Sequence, residues 1–142
     1  MQNITIKDVE HVAFSLAREL MSYDEPIPDY STRLPNVLES CIATPFQWFG
    51  GRSLYRGLIS KSSLLFYLMV KNHPFLNGNK RIAITTLLVF LYINGNWLRA
   101  ELEEFYDFSL RVAESRAEDK DLILVEIKRF IKDHLRPMSS AI

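Results

Sequence analysis

"NHPFLNGNKRIAITTLLVFLYI", residues Asn72 to Ile93, joins two unlike halves. The first half holds a histidine, a proline, an Asn-Gly-Asn turn and a Lys-Arg pair within ten residues. The second half is apolar from Ile82 onward, interrupted by Thr85 and Thr86. A run that is apolar nearly all round, followed by "NGN" with Gly95 as the C-terminal glycine, predicts a helix over Asn79 to Ile93. A helix with no polar face sits at the centre of a globular core. It is also well short of the roughly 20 residues that a membrane span needs. The polar turn therefore stands at the N-terminus of the central helix, where backbone N–H groups have no intrahelical acceptor.

The rest of the chain reads as helices around that one. Ile6 to Met21 has apolar residues at helical spacing (Val9, Val12, Ala13, Leu16, Leu20), with Thr5 placed to cap it. "SYDEPIPDYS" is a loop, and Leu34 to Ala43 a short helix. "TPFQWFGGRSLYRG", Thr44 to Gly57, is rich in aromatics and suits a small hairpin turning at Gly50-Gly51. Leu58 to Lys71 is helical and leads into the quoted motif. Glu101 to Ser115 begins with acids, as the helix dipole favours. Asp119 to Leu135 places Ile123, Ile127, Phe130, Ile131 and His134 on one face and stops before Pro137, leaving "MSSAI" as a frayed end. The fold class is all-α, in a single domain over residues 1–142.

The N-terminus lacks a secretory pattern, and the one cysteine, Cys41, rules out an internal disulfide. A cytoplasmic setting is expected, with Cys41 as a small core residue. Net charge is zero, but the charges are segregated. No Asp or Glu occurs between Ser40 and Ala100, while Arg52, Arg56, Lys61, Lys71, Lys80, Arg81 and Arg99 give that window +7. Either an anion binds there, or acidic flanks fold over and neutralise it.

The motif residues have the chemistry for the first option. Asn77-Gly78-Asn79 can take the positive φ values of an anion-binding nest. Arg81 offers a planar fork to phosphate and Lys80 a point charge. Cations at a helix N-terminus oppose the dipole unless an anion lies among them. His73, held extended by Pro74, can act as a general base beside the turn. Taken singly, each residue has a plain reading as a structural histidine, an ordinary turn or a solvated pair. Walker-type and dinucleotide-binding glycine patterns are absent, as is any zinc-spaced Cys/His set. No helix has the dense basic face of a DNA reader.

"HPFLNGNKR" closely resembles the signature of the Fic/Doc family, roughly H-x-F-x-[D/E/N]-[G/A]-N-[G/K]-R. With "TPFQWFGGRSLYRG" before it and "YINGNWL" after it, the chain looks like the Doc (death-on-curing) branch from about Thr44 to Ser115. The resemblance implies a compact helical bundle with a central buried helix and a small flap before the motif. It implies enzymes that transfer part of a nucleoside triphosphate to a protein hydroxyl. Typical Fic members transfer AMP, whereas Doc toxins transfer the γ-phosphate of ATP to a threonine of elongation factor Tu and halt translation. Glycine before the motif arginine goes with AMP transfer and lysine with the kinase, and this chain has Lys80. AMP-transferring members carry a second arginine three residues on, where this chain has Ile84. The nearest match to the self-inhibitory motif, Ser15 to Glu19 followed by Leu20, is a coincidence of composition.

Carried onto this sequence, the resemblance makes His73 the general base, Phe75 the loop anchor and Gly78 and Asn79 the anion hole. Lys80 and Arg81 grip the phosphates. Asn77 replaces the usual acid and would hold Mg²⁺ through its carbonyl oxygen alone. Phe46 to Tyr55 would be a flap that takes the target segment by strand addition. The implied partners are ATP, Mg²⁺, a target protein and an antitoxin that covers the site, with no membrane and no DNA bound by the chain itself. Two other functions stay open on the sequence: an AMP or other nucleotidyl transferase, and a binding module of weak catalytic power, favoured by Asn77.

Overall fold

The computed structural model describes residues 1–20 and 27–138. Six helices carry most of that length. The first, α1, runs in three segments: Ile6–Asp8, a π-helical turn Val9–Ala13, and Phe14–Leu20. Thr5 caps it reciprocally. Its hydroxyl accepts from Asp8 N (3.1 Å), and its own N–H donates to the Asp8 carboxylate (2.9 Å). Then follow α2 (Pro35–Ala43), α3 (Gly57–Lys71), α4 (Asn79–Ile93), α5 (Leu102–Glu114) and α6 (Lys120–His134). No helix among the described residues is long and apolar enough to cross a membrane.

The central helix is α4, whose bounds are those predicted from sequence. Arg81 to Leu91 are all buried. Helices α1, α3 and α5 pack around it, and α6 closes over α3 from the far side. A helix apolar on every face is stable only when other elements cover every face, as here. Its two polar interruptions meet different ends. The Thr85 hydroxyl reaches the Ala13 carbonyl at the end of the π turn, at 2.7 Å, so α1 is tied to the core helix by a buried bond. Thr86 is equally buried, and its hydroxyl has no hydrogen-bond partner among the described residues.

The small hairpin exists. Strands β1 (Trp48–Phe49) and β2 (Arg52–Ser53) pair antiparallel, with Gly50 at φ +59° and Gly51 at φ +77°. Two positive φ values in a two-residue turn match the right-handed twist of the strands, and glycine adopts them without strain.

The C-terminal end departs from the sequence reading. Helix α6 stops at His134, one residue short of the expected Leu135, and Leu135–Pro137 forms a strand, β4, where the sequence shows only a helix stop at Pro137. It pairs with β3 (Asn96–Leu98), in the register Asn96 to Pro137 and Leu98 to Leu135. Met138 N donates to Gly95 O (2.9 Å), so the chain is held one residue beyond the strand. Edge pairing between segments so distant in sequence leaves no periodic signal, so the sequence shows only a helix end before Pro137. Residues 139–142 and 21–26 lie outside the described residues. They contain most of the expected frayed end, Met21 of the first helix, and Ser22 to Pro26 of the first loop. Ile27–Asp29 has no regular structure, and Tyr30–Thr32 is a single 3₁₀ turn.

Candidate functional site

The motif loop hangs between the C-terminus of α3 and the N-terminus of α4. Asn72 is the helical cap of α3, and His73 follows at φ +50°, the only non-glycine residue at positive φ among those described. The sequence predicts an extended His73. The structure instead gives it the left-handed backbone with which helices often close, at the position usually occupied by glycine. The chain must reverse there to bring Pro74 and Phe75 under the core, and the helix end dictates how. His73 is exposed and makes no hydrogen bond or ion pair among the described residues.

Past His73 the loop is held residue by residue. The Pro74 carbonyl accepts from Leu34 N at 2.8 Å, which ties the motif to the start of α2. The Phe75 ring is buried against Phe14 (5.6 Å between centroids) and Tyr30 (6.0 Å). Burial raises the Tyr30 phenol above its usual pKa; Arg33 opposes that shift and Glu10 adds to it. Asn79 clamps the Phe75 peptide from both sides. Its Oδ1 accepts from Phe75 N (2.9 Å), and its Nδ2 donates to Phe75 O (2.8 Å). The Asn79 side chain is therefore committed to holding the loop. What it can offer an anion is its backbone N–H.

Gly78 is the turn. It is the only one of the Asn77-Gly78-Asn79 set at positive φ (+74°), and it forms the left-handed N-cap of α4. A Cβ here would lie 2.7 Å from Ile27 Cγ1 and 3.5 Å from Arg81 Nη2. Conformation and space both require glycine at this position. The same distances place the Arg81 guanidinium beside the turn. Ile82 N → Gly78 O (2.9 Å) is the first helical bond, so the N–H groups of Asn79, Lys80 and Arg81 precede the ladder and face the loop's end of the helix.

The Lys-Arg pair is not a solvated pair. Arg81 is 4% exposed, whereas Lys80 is half-buried and has no bond or ion pair among the described residues. The ion pairs among the described residues, at Glu10, Glu104, Glu118 and Glu126, all lie outside the acid-free window. Of the window's other cations, Lys71 donates to the carbonyls of Ala113 (3.2 Å) and Ser115 (2.5 Å) at the end of α5, and Lys61 binds the flap. Lys61 and Lys71 thus spend their charge on neutral acceptors, chiefly backbone carbonyls, at the flap and at the end of α5. Asn77 is exposed, and the described residues hold no cluster of three His, Cys, Asp or Glu side chains. That donor set suits a Mg²⁺ delivered with a nucleotide's phosphates better than a resident ion.

Three participants carry no motif in sequence. Ile27 fills the space above Gly78, Leu34 binds Pro74, and Lys61 reaches the flap. Cys41 is buried, as expected, and burial pushes its thiol up to about 11, with the Asn72 amide (4.0 Å) pulling the other way. It is chemically quiet at neutral pH.

A model of the Fic/DOC family matches residues 4–91, from before α1 to the end of the buried run of α4. The match includes the N-terminal helix, which the sequence resemblance left out, and ends before β3 and α5. Toxin Doc of Mycolicibacterium smegmatis is 32% identical over 96 residues, covering 66% of this chain and 73% of that protein. No solved structure matches the chain.

Proposed function

The chain belongs to the Fic/DOC family, and on that premise we propose that it is a Doc-type toxin kinase. It transfers the γ-phosphate of ATP to a hydroxyl of a translation protein, elongation factor Tu by resemblance. The observation that supports this most is the pairing of Lys80 and Arg81 on the first turn of a buried helix, directly behind the left-handed Gly78. Two cations against a helix dipole are unfavourable alone and favourable around a phosphate chain.

In this reading the N–H groups at the start of α4 and the Arg81 fork hold the phosphate oxygens. Lys80 neutralises charge that develops as the γ-phosphoryl group transfers. His73 takes the proton of the attacking hydroxyl. The bond from that oxygen to the γ-phosphorus forms, the bridging bond to the β-phosphate breaks, and ADP leaves. Mg²⁺, when bound by Asn77 Oδ1 and the phosphates, adds charge neutralisation; a neutral amide makes that site weak. The flap at Trp48 to Ser53 receives the target. An antitoxin segment covering the loop would switch the enzyme off in the cytoplasm.

AMP transfer is the nearest rival. The second arginine it uses is replaced by Ile84, whose side chain is 0% exposed in the core and cannot present any group to a nucleotide. A binding module without turnover is the reading that Asn77 favours. Intact mass after incubation with ATP, Mg²⁺ and elongation factor Tu separates the three. A phosphate-sized gain on the target, abolished in His73→Ala, is expected. A nucleotide-sized gain would establish AMP transfer, and no gain would leave the binding module.

A further inference from the structure

The flap is not built to hold itself. Two residues pair with two, and a lone two-stranded hairpin is marginal in water. Its aromatic side chains do not anchor it: Trp48 is 69% exposed and Phe49 78%. What holds it lies at its two feet. On the entry side, Phe46 packs edge-on against Phe90 of α4 (5.3 Å). Across the feet, Leu54 N donates to Gln47 O (2.9 Å). On the exit side, Lys61 of α3 reaches back and donates through Nζ to Ser53 Oγ (2.7 Å) and to Tyr55 O. Ser53 Oγ in turn donates to Tyr55 O (3.0 Å), which closes a three-member knot.

Among the described residues Lys61 has no carboxylate partner; it is half-buried, and its ammonium donates to two neutral acceptors. Both of its bonds go to the exit foot of the flap. Charge balance gives no reason for a lysine here, whereas several donors converging on one strand end do. We propose that Lys61 is a positioning residue: it fixes the rest position of the flap, and through it the docking of the protein substrate. Nucleotide binding and transfer stay with the motif loop. This role rests on the kinase reading for its consequence, but not for its mechanics.

The test uses the full chain in a Trp97→Phe background, which leaves Trp48 as the single tryptophan. Lys61→Met keeps the stem and removes the donors, and Lys61→Arg restores donors. In Lys61→Met, Trp48 fluorescence anisotropy should fall. The KM for elongation factor Tu should rise at least about tenfold, as expected when a docking element is misplaced. The KM for ATP and kcat should hold, and Lys61→Arg should recover most of the loss. Unchanged anisotropy would overturn the anchor. A fall in anisotropy with an unchanged protein KM would overturn the positioning role. If the wild type transfers nothing, the kinase reading and the docking consequence both fail, while the anisotropy still decides the anchor. Should Lys61→Met not fold, Ser53→Ala, which removes one acceptor, should show the same two changes in smaller measure, and their absence would refute the proposal.

Discussion

The motif loop and the flap are both short excursions from α3, one from each end of it, and they are fixed in opposite ways. Between Pro74 and Asn79 the loop is tied by a backbone bond to Leu34, a ring buried among Phe14 and Phe75's other neighbour Tyr30, a two-way amide clamp and a glycine pressed under Ile27. The flap is tied only at its feet, and it presents Trp48 and Phe49 to solvent. The proposed phosphoryl transfer would need donors placed within fractions of an ångström, and an over-determined loop would meet that need. The flap's proposed role of receiving a second protein would call for exposed aromatic area and room to adjust, which a hairpin anchored only at its feet would provide.

That contrast can be broken at four places. His73→Asn should lower transfer about 10²–10⁴-fold, the usual contribution of a general base. The same change should raise unfolding free energy by about 0.5 kcal/mol, because Asn enters the left-handed region more readily than His. Single-turnover rates and urea titration report the two effects. A loss of both activity and stability would mean that His73 holds the loop together rather than serving it. Asn79→Ala should cost about 3 kcal/mol, since it strands a buried donor and acceptor at Phe75. Urea denaturation checks this, and a loss under about 1 kcal/mol would show that the loop holds without its clamp. Gly78→Ala should cost about 2 kcal/mol from the positive φ and the approach of Ile27, and in an Ile27→Ala background, itself destabilised by the lost core packing, the same change should cost less by the steric part. An equal cost of Gly78→Ala in both backgrounds would assign the whole of it to the backbone.

The smallest effect is expected in the flap. Trp48→Ser with Phe49→Ser should change stability by less than about 0.5 kcal/mol, because neither side chain is buried. Thermal unfolding that drops by several degrees would show that the flap packs on the body of the protein, and would remove the contrast.

Much of this was open to a reader of the sequence, for local reasons. The bounds of α4, the Thr5 cap, the Gly50-Gly51 hairpin and the left-handed Gly78 follow from periodicity and turn chemistry within a few residues of each site. Candidate residues were legible by type, because only certain side chains suit phosphate. Their division of labour was not. That the Asn79 side chain is committed to Phe75, leaving its backbone N–H for an anion, and that Arg81 is the buried member of the Lys-Arg pair, only packing decides.

What the sequence determined by itself was the central helix and the polar turn mounted on it. Both are written in contiguous residues, and backbone propensity and hydrophobic pattern act over that range. The tertiary structure alone decided the left-handed turn at His73, the reach of Lys61 back to Ser53, and the return of Leu135–Pro137 to pair with Asn96–Leu98. They depend on how the chain leaves α3, on how the flap folds back over the start of α3, and on where α6 ends relative to β3. Such placements emerge only when helices settle against the shared core, because no local pattern encodes a partner that lies elsewhere in the chain.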